Sequence, residues 1–438
     1  MTTLTLAARW NPIDWPLTHG LVPCTVLAAG WAALALLAIS RHERWRAPRM
    51  IGALLLGALL TVLVKFVVDD WWHPFPEGTP DFVLRWTAVA LFALALLCFR
   101  APLLPARRRF LAAGGLLLVV LMAASQVNRG FDQYPTARAM LAPHTDELTT
   151  GRAAATVQGA PGRPLAELWH APAGLPDKGT LSTVTVPGAR SGFNPRPGYV
   201  YLPPAYRANP RPLLPVVVLM PGQPGAPEDW VNSGALRESL DAFAARHQGL
   251  APIVLVVDET GGNFANPLCM DSRIARSQTY LGVDVPDWIH RNLQTATGRG
   301  ALAIGGLSLG GTCALQLAVN APDVYGTFLD ISGQEEPTLG THQETVDQAF
   351  GGDEAAFDAV DPVHRMAGRK YPDTAAMIVV GANDPWFRPG QEKIHAAAQA
   401  AGMKVGYQTI PGGHSWTVFR QAFEQNLPWL AQQTGLIR

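Results

Sequence analysis

Four apolar runs precede residue 130 of this 438-residue chain, and they set the solvent in which its first third folds. They cover about 20–40, 50–68, 82–99 and 110–127, each close to the ~20 residues that cross a bilayer core as a helix. The first and last runs contain no charged side chain, while Lys65 and Arg85 stand near the ends of the other two. A long cationic side chain at such a position can reach the headgroups. A cleaved leader is a poor description of the first run, because three more runs follow and no basic stretch directly precedes it. Charged residues make up 16% of the chain, below the ~25% of ordinary soluble proteins. The 34 Lys+Arg balance 34 Asp+Glu, which argues against a nucleic-acid partner.

The loops predict an orientation. Arg41, Arg44, Arg46 and Arg49 lie between runs one and two, and Arg100, Arg107, Arg108 and Arg109 between three and four. The loop between two and three carries Asp69, Asp70, Glu77 and Asp81 with Trp71 and Trp72. The positive-inside rule then puts both arginine loops in the cytoplasm. A multi-pass membrane protein follows, with both termini and the whole C-terminal region outside. Few polar residues interrupt the runs, so residues 1–127 read as a four-helix anchor in the bilayer rather than a transport path. Recognition of a membrane-protein partner through the spans is the alternative. Cys24 and Cys98 fall near opposite ends of their runs and cannot meet. Cys269 and Cys313 both fall in the exported region, where a disulfide persists, and are expected to pair.

Residues 128–179 are rich in Ala, Pro, Gly and Thr and read as a linker with a short helix around Tyr134–Leu141. From residue 180 to 438 the pattern becomes α/β. Alternating runs at Leu181–Val186 and Gly198–Leu202 predict antiparallel strands. Continuous apolar runs at Leu214–Met220, Ile253–Asp258 and Ala301–Gly305 predict strands buried on both faces, and Thr327–Ser332, Ala376–Val380 and Val405–Ile410 complete the set of strands. Helical segments fall between them, at about 235–247, 283–297, 309–320, 388–401 and 416–433. Strands alternating with helices imply a mostly parallel central sheet flanked by helices, with ligands bound beyond the strands' carboxyl ends.

At one such end stands Gly306-Leu307-Ser308-Leu309-Gly310-Gly311. In a strand–turn–helix context, G-x-S-x-G holds a serine on a sharp turn that projects its hydroxyl from the sheet. A nucleophilic serine needs a base, and the base needs an orienting acid. His414, in Gly413-His414-Ser415-Trp416, follows the last predicted strand, and Asp384, in Gly381-Ala382-Asn383-Asp384-Pro385, follows the one before. The order Ser308, Asp384, His414 matches the α/β-hydrolase arrangement. Asp330 is the rival acid but lies inside a strand, while Asp358, Asp361 and Glu335 read as loop or surface charges. The oxyanion donors are expected to be the backbone N–H groups of Leu309 and of Gln223, the latter in Pro221-Gly222-Gln223-Pro224-Gly225.

These stretches, together with Tyr199-Val200-Tyr201-Leu202-Pro203-Pro204 and Leu219-Met220-Pro221-Gly222 with Glu228-Asp229-Trp230 downstream, resemble the esterase branch of the α/β-hydrolases. That branch includes esterase D and the mycobacterial mycolyltransferases. The resemblance implies an α/β-hydrolase fold and a serine esterase, thioesterase or acyltransferase. The sequence has no H-E-x-x-H, no zinc-ligand cysteine spacing and no nucleotide signature, so no metal or cofactor is expected. The sequence departs from the branch where the His-Gly pair common in its oxyanion loop is Pro221-Gly222. Position beside a membrane points to envelope or lipid esters as substrate. A non-catalytic scaffold for another membrane enzyme is the competing reading, and an intact triad argues against it. Residues 334–366, inserted after the sixth strand, read either as a lid or as an ordinary helical excursion.

Overall fold

Helices α1 (Leu21–Ala38), α2 (Ala47–Lys65), α3 (Asp81–Arg100) and α4 (Ala106–Phe131) take up the four apolar runs in the computed structural model, which describes residues 11–39, 47–149, 151–160 and 162–438. With the π-helical and 3₁₀ turns that extend α2 to Trp72 and α3 to Leu103, all four are long and apolar enough to cross a membrane. Arg41, Arg44 and Arg46, used above for orientation, lie outside the described residues. Within this first unit, residues 1–141, Ala33, Ala53, Ala93 and Ala95 are buried between helices together with Leu34, Leu37, Leu96, Val119 and Met122. A Cβ on Gly30 of α1 would fall 2.4 Å from Met122 Cβ of α4. Such close backbone approach holds helices together where lipid removes any gain from burying leucine. Lys65 does not simply extend toward headgroups. Its Nζ donates to Asp69 Oδ2 one turn later at 2.5 Å, and Asp69 Oδ1 accepts from Thr79 N at 2.9 Å.

The second unit, residues 142–438, begins inside the segment expected to be a linker. That expectation needs correction. Helix α4 runs on to Phe131, and Ala137–Met140 forms a 3₁₀ turn. Beyond residue 142 the chain is fastened to the α/β unit: Leu165 and Trp169 are buried in its core, and Trp169 Nε1 donates to Gln248 O at 3.1 Å. Short strands Thr156–Val157 and Arg211–Pro212 pair in parallel. Isolated anchors of this kind leave no periodicity in the sequence, which is why composition alone suggests a loose tether.

Among the described residues eight strands form one sheet: β1 (Thr180–Val184), β2 (Gly198–Leu202), β3 (Val216–Met220), β4 (Ile253–Val256), β5 (Leu302–Leu307), β6 (Thr327–Ile331), β7 (Ala375–Gly381) and β8 (Lys404–Ile410). Their order is β8-β7-β6-β5-β3-β4-β2-β1, parallel except where β2 pairs antiparallel with β1 and β4. The central strands β3 to β6 are buried along their whole length, as expected when helices cover both faces. Helices α5 (Leu236–Arg246), α6 (Val285–Asn292), α7 (Leu309–Asn320), α8 (Arg388–Ala400) and α9 (Trp416–Gln433) connect or flank them. The α/β-hydrolase architecture read from the sequence is therefore present, with β5, β7 and β8 sending their carboxyl ends to one edge.

Residues 334–366 fold into short capped helices. Thr341 closes a capping box with Glu344, Asp353 caps Ala356 N, and Asp361 caps His364 N. Phe357 is buried, and Phe350 and Val360 pack with Ala349 against Leu268 and Met270. The apolar residues of this excursion thus turn inward onto their neighbours.

Candidate active site

Ser308 links β5 to α7 with φ 52° and ψ −122°, a conformation that costs a non-glycine residue energy unless its surroundings enforce it. The surroundings do enforce it. A Cβ at Gly306 would lie 2.4 Å from the Gly310 backbone, and one at Gly310 would lie 2.3 Å from Pro221 O. Strand, Ser308 turn and helix start can therefore approach only with glycine at both positions. Ser308 N donates to Ile331 O of β6 at 2.8 Å, which pins the turn to the sheet. The side chain sits at the N-terminus of the 12-residue helix α7, where helix dipoles favour negative charge.

Strands β7 and β8 run in parallel register, Gly381 opposite Ile410. The loops that leave them interlock, with Ala382 N donating to Ile410 O at 2.7 Å and Asn383 N to Gly412 O at 2.8 Å. This brings Asp384 and His414 together from 30 residues apart: Asp384 Oδ2 lies 2.9 Å from His414 Nδ1. Asp384 is almost fully enclosed at 2% side-chain exposure, while His414 keeps 25%. Phe387 stacks on the imidazole at 4.1 Å with planes 16° apart, and Phe419 meets it edge-on at 4.9 Å. The ring is thus stacked on one aromatic side chain, touched by a second and held at Nδ1, and Nε2 makes no hydrogen bond among the described residues. No hydrogen bond joins His414 to Ser308 among the described residues; such contacts are often loose before substrate binds.

The loop after β3 closes on Ser308. A Cβ at Gly222 would stand 3.0 Å from Ser308 Cβ. The backbone N–H groups of Gln223 and Leu309 make no hydrogen bond to any described residue, so both can serve an incoming oxyanion. Two tethers hold the ends of this loop. Trp230 Nε1 donates to Met220 O at 2.9 Å. Arg196 Nη2 donates to Gly225 O at 3.0 Å while pairing with Asp258 Oδ1 at 2.7 Å. Burial alone would raise the Asp258 carboxyl, but the Arg196 guanidinium and backbone hold it below its usual range. Arg196 and Asp258 escape a sequence reading. The available signal is an acid ending a continuous apolar strand, which implies a buried cation.

The rival acids separate cleanly. Asp330 is wholly buried within β6, accepts from Gln391 Nε2 and Gly333 N at 2.9 Å each, and meets no histidine. Burial raises its carboxyl to about 6. Asp361 caps a helix, Asp358 lies 3.6 Å from His364, and Glu335 pairs with Lys393 at 2.9 Å. Cys269 and Cys313 are joined as a disulfide, with Cα atoms 5.3 Å apart, and Cys24 and Cys98 are free. No group of three His, Cys, Asp or Glu among the described residues is arranged to hold a metal ion. A cavity of about 240 Å³ lined by Val216, Leu302 and His290 opens at the amino ends of β3 and β5, at the edge opposite Ser308.

Residues 194–430 match the family model Esterase, described as "Putative esterase". An uncharacterized protein of Corynebacterium glutamicum is 36% identical over 98% of this chain and 99% of its own length. An esterase of Mycobacterium tuberculosis is 27% identical over 52% of this chain and 54% of its own length, so the match spans about half of that relative. Among solved structures, a ferulic acid esterase superposes with a TM-score of 0.51 at 18% identity, covering 58% of this chain and 98% of that one. At that identity the likeness speaks to fold alone.

Proposed function

Because the chain belongs to the Esterase family, we propose that it is a membrane-anchored serine esterase that works by a Ser308–His414–Asp384 relay. The observation that carries this reading is the enclosed Asp384–His414 pair at the same sheet edge as the strained Ser308 turn. Ser308 Oγ attacks the ester carbonyl while His414 Nε2 takes its proton. Asp384 holds the imidazole with its Nδ1–H directed at the carboxylate and stabilises the imidazolium that forms. The oxyanion is met by the N–H groups of Gln223 and Leu309. His414 then returns the proton to the leaving alkoxide, and the acyl-Ser308 intermediate remains. Water attacking with His414 as base completes hydrolysis. An alcohol taking the place of water would make the same site an acyltransferase.

The membrane location rests on the four apolar helices. The outward placement of the catalytic unit rests on charge: Arg49, Arg100 and Arg107 to Arg109 mark one side, while Asp69, Asp70, Glu77, Trp71 and Trp72 mark the other. An enzyme tethered outside meets envelope and lipid esters at high effective concentration, and these are its proposed substrates. The test is labelling of intact expressing cells with a membrane-impermeant fluorophosphonate, comparing wild type, Ser308→Ala and His414→Ala. Labelling of wild type that disappears in Ser308→Ala supports both an activated serine and its outward placement. Labelling that needs permeabilised cells would overturn the orientation, and none in folded, detergent-solubilised protein would overturn the esterase reading.

A further inference from the structure

Residues 221–224 form the stretch of the oxyanion loop that reaches Ser308, and they have little to hold them. Pro221 and Pro224 carry no N–H, and the tethers from Trp230 and Arg196 attach outside the stretch, at Met220 and Gly225. Among the described residues these four make one hydrogen bond: Gln223 Nε2 donates to Phe264 O at 2.9 Å. The loop that supplies this carbonyl, between β4 and α6, is unusually well fastened. Asn266 Nδ2 donates to Thr338 O at 2.9 Å, and Ser277 Oγ donates to Pro267 O at 3.2 Å and to Met270 O at 3.1 Å. Leu268 and Cys269 both adopt positive φ, 65° and 52°. The disulfide then joins Cys269 to Cys313, on the helix that starts directly after Ser308. Both cysteines are fully buried.

These links close a ring. From Ser308 it passes along α7 to Cys313, across the disulfide to Cys269, back to Phe264 O, and through the Gln223 side chain to the loop that abuts Ser308. We propose that Gln223 is a positioning residue. Its side-chain amide, clamped to Phe264 O, fixes the N–H of the same residue toward the developing oxyanion, and the disulfide anchors the clamp to the nucleophile helix. The inference rests on the esterase reading above. Its physical basis is the narrow range, about 2.7–3.1 Å, in which an oxyanion donor acts. A displacement of about 1 Å can cost about 10²-fold in rate.

The test uses the full-length protein in detergent and p-nitrophenyl acetate as a short, soluble ester. Gln223→Met keeps the length and the backbone N–H but cannot donate to Phe264 O. Its kcat is expected to fall about 10- to 100-fold with KM little changed, the pattern of an interaction made in the transition state. Gln223→Lys restores a donor and should recover most of the loss. The Cys269→Ser/Cys313→Ser pair should lower kcat similarly, and combining it with Gln223→Met should add little, because both break one ring. An unchanged kcat in Gln223→Met, no recovery in Gln223→Lys, or full additivity would each overturn the clamp. If thermal melting shows that the cysteine variant fails to fold, the Gln223 variants decide alone. Wild-type turnover that survives Ser308→Ala would instead overturn the underlying esterase reading, and the clamp with it.

Discussion

The helical unit and the α/β unit are both rich in apolar residues, yet they dispose of them in opposite ways. In the first, Leu36, Leu55, Leu59 and Leu111 stand 64–73% exposed, while Ala33, Ala53 and Ala93 are buried between helices beside a few large residues such as Leu37, Leu96 and Met122. In the second, Trp230, Phe243, Tyr325, Phe328 and Phe423 are fully buried. The difference is the one that separates a surface suited to lipid from a surface suited to water. In water, burying one large apolar side chain contributes roughly 1.5–3 kcal/mol, so the largest side chains go inside. In lipid that gain vanishes, and close packing at small residues takes over. Only the second arrangement builds the candidate site, because a parallel sheet delivers loops from distant parts of the chain to one place.

The candidate site lies wholly in the α/β unit, and the largest effect expected there comes from the acid. Asp384→Asn preserves the shape around His414 but removes the charge that sets the imidazole's tautomer. Turnover should drop by about 10⁴-fold, with the protein still in the membrane fraction and its melting temperature little changed. Kinetics on a soluble ester beside a membrane-extraction assay would check both halves. A loss below tenfold would mean that another group orients His414.

Much of this site is legible in the sequence, and the reason is mechanical. Ser308 is announced by glycines that sterics demand, and Asp384 and His414 by their places just beyond predicted strands. The eight strands are legible because short apolar runs, continuous or alternating, are bounded by Gly, Pro and Asp and leave few alternatives. Other features rest on single long-range bonds that no local pattern encodes. Arg196 reaches Asp258 across 62 residues, and the Gln223 side chain reaches Phe264 across 41. The docking of residues 142–179 is hidden for the same reason, since Leu165 and Trp169 are isolated apolar residues in a Pro- and Gly-rich stretch. Lys65 is legible as a charge at the end of an apolar run, but its pairing with Asp69 depends on the π-helical turn that continues α2.

A smaller effect sharpens the helical side of the comparison. Gly30→Leu would drive a side chain into Met122, whereas Gly114 has nothing within 4 Å of a new Cβ. Overpacking at the first site should destabilise by about 1–3 kcal/mol, and Gly114→Leu should be nearly neutral. Thermal melting in detergent reads both, while turnover on a soluble ester below the melting range should be unaffected in either. Equal melting of the two variants would mean that close approach at Gly30 does not hold α1 to α4.

The smallest expected effect contrasts two carboxylates of one sheet. Asp384 faces a histidine, whereas Asp330 faces Gln391 Nε2, the Gly333 N–H and no cation. Burial raises Asp330 to about 6 from an ordinary 3.8, so the folded protein holds this proton more tightly than the unfolded chain does. By linkage, the stabilisation that follows is complete below the unfolded value and is lost as pH rises through about 6. Asp330→Asn cannot titrate, and its amide can donate to a reoriented Gln391, whose Oε1 lacks a partner. The variant should therefore gain on wild type between pH 4 and 7, at about 2–4 °C per kcal/mol for a domain this large. Glu259 and Asp361 are also raised by burial, so only the difference between variant and wild-type melting curves isolates Asp330. A constant difference across that range would show that the folded protein already holds Asp330 ionised. Its bonds to Gln391 and Gly333 would then outweigh the cost of burying the charge, and the contrast with Asp384 would lie in partner alone rather than in protonation.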